Sequence, residues 1–202
     1  MSRQSLTALA QERMAAVLGP GDIAVDATAG NGLDTLRLAR LVGETGRVHA
    51  VDIQPEALEM TRARLLTAGV HPWVELHRGS HGALLDLLGY ELQGRVRGVM
   101  FNLGYRPGGD QRITTSPAST IPALRQASTL LAPGGRLSVM AYTGHDGGAL
   151  EARAVVEWSG ALGAPFSARE VRPPGTPPGA PRLLLVDRAA AVTRESVSRP
   201  MR

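Results

Sequence analysis

Residues 25–35, VDATAGNGLDT, decide the fold. The stretch opens on a strand, Ile23 to Ala27, that carries an acid, Asp26, near its end. The turn Ala29-Gly30-Asn31-Gly32 follows, and then a helix to about Val42. A strand, a glycine turn and a helix start in succession leave backbone N–H groups pointing outward and let a ligand come close. A dinucleotide fingerprint would also require glycine at position 35, where Thr35 stands. That departure argues against a nicotinamide dinucleotide.

Outward from this motif, strand and helix patterns alternate along the chain, which argues an α/β domain around a mostly parallel sheet. Before it, Leu6, Leu9, Ala10, Met14, Val17 and Leu18 share one helix face, and Gly19-Pro20 ends that helix. After it, Arg47 to Ile53 reads as a second strand, with Pro55 opening a helix to Ala68 and Gly69 capping it. Val74 to His77 reads as a third strand, SHGALLDLLG as a helix, and Gly98 to Leu103 as a fourth strand. Ser116-Pro117 starts a helix towards Leu131. Pro133-Gly134-Gly135 turns into a fifth strand, Arg136 to Tyr142, and residues 148–162 read as helix. VRPPGTPPGAPR, residues 171–182, is a long loop, because repeated proline removes backbone donors. Leu183 to Asp187 is the last strand. The expectation is one Rossmann-like domain over 1–188, with 1–20 as its N-terminal helix and 189–202 as a polar tail.

Composition sets the outer bounds. The 202 residues suffice for one domain with a sizeable core. With 43% hydrophobic and 20% charged residues the chain is ordinary for a globular protein. There is no cysteine, so neither a disulfide framework nor a thiolate metal site is available, and no metal is expected. The N-terminus lacks the apolar core of a signal peptide, and no segment approaches the length of a membrane span. A cytoplasmic protein with no membrane partner is the expectation. The net charge is +4 and every basic residue is arginine, which suits RNA or reflects a codon bias.

Four further groups gather at one edge of this sheet. Asp52 ends the second strand about 20 residues after the glycine turn, where a carboxylate can accept both ribose hydroxyls. Asp26 suits a cationic amine, and Asn31 and Asp34 can hydrogen-bond an amino-acid moiety. Ser80 and His81 follow the third strand, where an adenine would lie. Together these features fit S-adenosyl-L-methionine better than a pyrophosphate. The fourth strand delivers MFNLGYRPGGDQRITT, residues 100–115, to the same edge.

Its FNLGY resembles the Asn-Pro-Pro-Tyr loop of amino methyltransferases, with Leu103-Gly104 in place of the rigid proline pair. More specifically, DATAGNGLDT, VDIQPEAL, GSH, the 100–115 stretch and YTGHDGG resemble, in order and spacing, the bacterial rRNA-methylase-labelled family that includes YtqB and the MnmM-type tRNA enzymes. The resemblance spans roughly residues 22–188. It implies a class I methyltransferase fold using S-adenosylmethionine. Its MnmM-type members methylate the amine of 5-aminomethyl-2-thiouridine at the tRNA wobble position, in the anticodon region.

Carried over by motif, Asn31, Asp52, Gln54 and His81 are cofactor-binding positions, with Gly30, Gly32 and Asp34 shaping the turn. Asn102, Leu103, Gly104 and Tyr105 form the acceptor loop, and Tyr105 is the residue to meet a flipped base. An alkyl ammonium must lose a proton before it can attack, and Asp110, His145 and Tyr142 are the candidate acceptors. Turn formation is the competing role for Asp110, and fixing its own loop that for His145. Arg106, Arg112, Arg172 and Arg182, all on expected loops at the ligand edge, are candidates for phosphate contact. Methylation of rRNA or a small amine, an NAD-dependent oxidoreductase and a non-catalytic RNA-binding module stay open as alternatives. A homodimer is compatible with this reading.

Overall fold

The computed structural model describes residues 5–110, 112–177 and 179–191. The tail expected at 189–202 therefore lies mostly outside the described residues. Among the described residues, six α-helices and seven strands alternate until the last two strands, which are consecutive. They are α1 (Leu6–Ala15), β1 (Ile23–Asp26), α2 (Leu33–Val42), β2 (Arg47–Asp52), α3 (Pro55–Thr67), β3 (Val74–Arg78), α4 (Leu84–Leu88) and β4 (Val96–Leu103), then α5 (Pro117–Leu130), β5 (Leu131–Ala141), α6 (Gly148–Gly160), β6 (Phe166–Val171) and β7 (Arg182–Arg188). The strands form one sheet in the order β3-β2-β1-β4-β5-β7-β6. The first five are parallel, and β7 runs antiparallel to both β5 and β6. The chain order reverses between β1 and β4, and this places a crevice at their C-terminal ends.

Side chains of the central strands alternate between two apolar layers. Ala24, Met100, Met140 and Leu185 face α1, α2 and α3 with Met14, Leu38, Val42 and Leu65. Val25, Phe101, Val139 and Leu184 face the other way, against Leu84, Leu124 and Val155 of α4, α5 and α6. Burial on both faces explains why these strands read as continuous apolar runs. Capping fixes the helix starts: Ser5 accepts from the Ala8 amide at 3.1 Å, and Pro55 opens α3.

Three elements differ from the expectation. The Pro133–Gly135 turn is a bulge inside β5, which begins at Leu131; the pairing with β4 shifts between Val96 and Gly98. A Cβ on Gly135 would stand 2.9 Å from the Ala132 carbonyl, so glycine is required there. SHGALLDLLG is a 3-10 turn, His81–Ala83, followed by the short α4. The strand β6 was not expected, because at the sheet edge its Ser167, Ala168, Arg169 and Glu170 stay exposed and its apolar pattern is weak.

Candidate active site

The glycine turn after β1 is shaped by α3 as much as by its own sequence. Gly30 and Gly32 have φ of 51° and 75°. A Cβ on Gly32 would lie 2.7 Å from Thr61 Oγ1 and 2.9 Å from Thr61 Cα, so the turn is pressed on the helix. Thr61 Oγ1 donates to the Gly30 carbonyl at 3.2 Å, and Arg64 Nε to the Asn31 carbonyl at 2.8 Å.

Across the crevice, Asp52 accepts from the Gly30 amide through Oδ2 at 2.8 Å and from the Gln54 amide through Oδ1 at 2.9 Å. Both oxygens are thereby fixed at the cleft wall with further lone pairs available. Asp52, Gln54, Gly30, Ser80, His81 and Asn102 all line one cleft. Ser80 caps the 3-10 turn by accepting from the Gly82 amide. His81 packs edge-on to Phe101, and burial pulls its pKa down to about 4, which keeps the ring neutral.

Asp26 and Asp34 lie deeper than expected. Asp26 is not a lining residue. It is 1% exposed, accepting from Thr35 Oγ1 at 2.6 Å and from the Thr28 amide at 3.2 Å. Burial, reinforced by the Asp34 carboxylate, raises its pKa to about 7. Asp34 accepts from Gln11 Nε2 at 2.6 Å and from Asn102 Nδ2 at 2.8 Å. A carboxylate only accepts, so this contact fixes the Asn102 amide with its NH2 towards Asp34. Oδ1 is then the end left for a ligand's hydrogen. The Asn102 backbone N–H donates to Thr28 Oγ1 at 2.7 Å.

Beyond β4, residues 104–110 and 112–115 fold back along the cleft. Tyr105 bridges to Thr114, and the Thr115 amide donates to the Gly104 carbonyl. Thr115 Oγ1 donates to Glu151 at 2.7 Å, and Thr120 Oγ1 to its other oxygen at 2.6 Å. Glu151 of α6 is thus a buried anchor of the loop. Leu103 is fully buried in the core and its carbonyl accepts from the Tyr142 amide, so its side chain meets no substrate. Gly104 and Tyr105 line the cleft as expected.

Arg106 lies across the glycine turn, with NH1 3.2 Å from Asn31 Oδ1 and Nε 3.4 Å from Gln54 Oε1. Asn31 Nδ2 donates to the Pro107 carbonyl at 3.1 Å, and Asn31 is itself not a lining residue. Both contacts draw the loop onto the cofactor side of the crevice.

The proton-acceptor candidates separate. Asp110 is held by Arg112 in an exposed ion pair at 2.7 Å. Hydrogen bonds from the Arg112 side chain and amide pull its pKa down to about 2, so it is a poor base. Arg112 is correspondingly engaged with Asp110. Tyr142 is partly exposed and outside the cleft lining. His145 stands behind Gly104, where its Nε2 would be 3.4 Å from a Cβ at that position, and packs edge-on to Tyr105. Its Nδ1 lies 2.9 Å from the Asp146 carbonyl, which fixes the ring proton there. Nε2 is buried without a partner among the described residues, and His145, like Tyr142, is not a lining residue of the cleft. Arg182 pairs with Glu170 at 2.6 Å, and with the exposed Arg172 it borders a separate hollow beside Thr143.

The motifs did not reveal Gln11, Thr28, Thr35, Thr115 or Glu151. Thr28, Thr35 and Thr115 lie within the quoted stretches but carry no chemical signature of their own, and Gln11 and Glu151 are brought to the site by tertiary packing.

Comparison with known proteins agrees with this architecture. Residues 48–185 match the family model described as "Putative rRNA methylase". The chain is 36% identical over 168 residues to the chloroplastic tRNA (mnm(5)s(2)U34)-methyltransferase of Arabidopsis thaliana, covering 79% of this chain and 61% of that protein. It thus spans about three-fifths of the plant relative's length. Among solved structures, a "putative rRNA-methylase" of Clostridium thermocellum superposes with a TM-score of 0.86 at 33% identity, over 93% of this chain and all of that one. A Streptococcus mutans methyltransferase in complex with SAH gives 0.79 at 30% identity, over 93% and 99% of the two chains. The fold, the sheet order and the family model converge: the chain belongs to the rRNA methylase family, whose fold is the Rossmann-like one of class I methyltransferases.

Proposed function

We propose that this chain is an S-adenosylmethionine-dependent methyltransferase that methylates the amine of 5-aminomethyl-2-thiouridine at the tRNA wobble position. The observation that carries the reading is the Asn102 amide, locked by Asp34 at the C-terminal end of β4 and facing a cleft whose other wall is Asp52. The plant relative's name supplies the acceptor chemistry: an mnm(5)s(2)U34 product.

The residues present fit the cofactor. Asp52 would accept the ribose hydroxyls, the Gly30–Gly32 turn would face the amino-acid end, and Ser80 and His81 would bound the adenine. A neutral His81 can hydrogen-bond or stack without repelling a cation. When bound, the cofactor supplies an electrophilic methyl group on a sulfonium.

The rest is positioning by the chain. Asn102 Oδ1 accepts one amine hydrogen and aims the nitrogen lone pair into the cleft. An alkyl ammonium near pKa 10.4 costs roughly 4–5 kcal/mol to present neutral at pH 7. His145 Nε2 keeps an unused lone pair but lies behind Gly104, outside the cleft lining, so it would take that proton through an intervening group and not by direct contact with the amine. A less planar acceptor is accommodated because Leu103-Gly104 replaces a rigid proline pair. Transfer of labelled methyl to tRNA that carries the aminomethyl precursor, and none to tRNA that lacks it, tests this reading. Equal labelling of both would redirect it to another RNA position.

A further inference from the structure

We propose that His49, Glu75 and His77 form a binding site for a divalent transition metal, with zinc the best fit, at the outer edge of the sheet and apart from the cofactor cleft. The register of β2 and β3 sets His49 beside Glu75 and Val51 beside His77, so all three side chains leave one face of two adjacent parallel strands. His49 Nδ1 lies 3.1 Å from His77 Nε2 and 3.5 Å from Glu75 Oε2. The three ligand atoms lie within 4.8 Å of one another. Tetrahedral zinc with bonds of about 2.0–2.1 Å to nitrogen and oxygen holds its ligand atoms roughly 3.4 Å apart. Two of the three edges, at 3.1 and 3.5 Å, are close to that length.

The donor set matches a zinc site of two imidazoles and one carboxylate with a fourth position open. His49 is 6% exposed and Glu75 is exposed, so the open side faces solvent and gives an entry path. Arg47 Nε approaches Glu75 Oε1 at 3.6 Å while His49 approaches Oε2, so the carboxylate can ligate through Oε2 and keep its arginine.

The placement gives the metal a structural consequence. Three residues beyond His49 is Asp52, and three beyond His77 is Ser80, so an ion here would staple the two strands that end at the cofactor cleft. The test is calorimetric titration of the tag-free full chain, stripped with chelator and then exchanged out of it, with Zn2+ alone. One equivalent should bind per chain, with affinity falling at least tenfold in His77→Gln and in Glu75→Gln. Cobalt in place of zinc should give the visible absorption of a four-coordinate site, also lost in both variants. Because Glu75 is exposed, Glu75→Gln preserves the fold, which circular dichroism verifies. No stoichiometric binding, or binding unchanged in the two variants, overturns the proposal.

Discussion

Replacing Asp34 by alanine tests how Asn102 is aimed. Asp34 holds Asn102 Nδ2 at 2.8 Å and Gln11 Nε2 at 2.6 Å, yet it is not a lining residue of the cleft. Hydrogen bonds to a charged group contribute roughly 1.5–3 kcal/mol. If that contact orients Oδ1 for the amine, its loss should lower kcat roughly 10- to 150-fold, since each 1.36 kcal/mol is a factor of ten. Cofactor affinity should stay within about twofold. Asp34→Asn should recover most of the rate, because its carbonyl can still accept from Asn102 while Gln11 turns its own carbonyl towards the new NH2. The assay is steady-state methyl transfer to precursor tRNA beside calorimetric titration with S-adenosylhomocysteine, with melting curves to confirm folding. Full activity in Asp34→Ala, or equal damage in Asp34→Asn, refutes the argument.

Other outcomes separate the remaining roles. Asn102→Ala should severely lower turnover and leave cofactor binding nearly intact, whereas Asp52→Ala should weaken S-adenosylhomocysteine binding roughly tenfold or more; equal loss of binding in both would contradict that division. Gly32→Ala combines a left-handed backbone with a Cβ 2.9 Å from Thr61 Cα and should cost roughly 2–4 kcal/mol in urea unfolding. Buried Asp26, whose pKa is raised to about 7, binds a proton more tightly when folded. Its contribution to stability is complete below its unfolded pKa near 4 and is lost as pH rises through about 7. Asp26→Asn should therefore gain stability relative to the parent between pH 5 and pH 8, on the order of 3 kcal/mol, and a constant difference across that range would show that Asp26 does not titrate there.

The layout of the sheet was legible because periodicity and punctuation are local. The apolar runs of β1, β4 and β5, the glycine turn and Pro55 each announce themselves within a few residues. The β6 edge did not, since an exposed strand needs no apolar pattern. Within the site, Asp52 and His81 followed from strand ends, and the structure places both in the cleft. Asp110 illustrates the limit: its acidity is set by Arg112, two residues on, and only side-chain geometry shows the pair closed. Asp34 illustrates it again, because its partners Gln11 and Asn102 lie 23 and 68 residues away. The His49, Glu75 and His77 cluster was invisible for the same reason, since strand register alone unites positions 49 and 77.

The most direct test of the central claim is nucleoside mass analysis of tRNA from a strain lacking this gene, incubated with the purified chain and labelled S-adenosylmethionine. Conversion of 5-aminomethyl-2-thiouridine to its methylamino form is the predicted result, identifying donor, acceptor and atom together. With the precursor shown to be present and cofactor binding confirmed, no conversion of that nucleoside would contradict the claim.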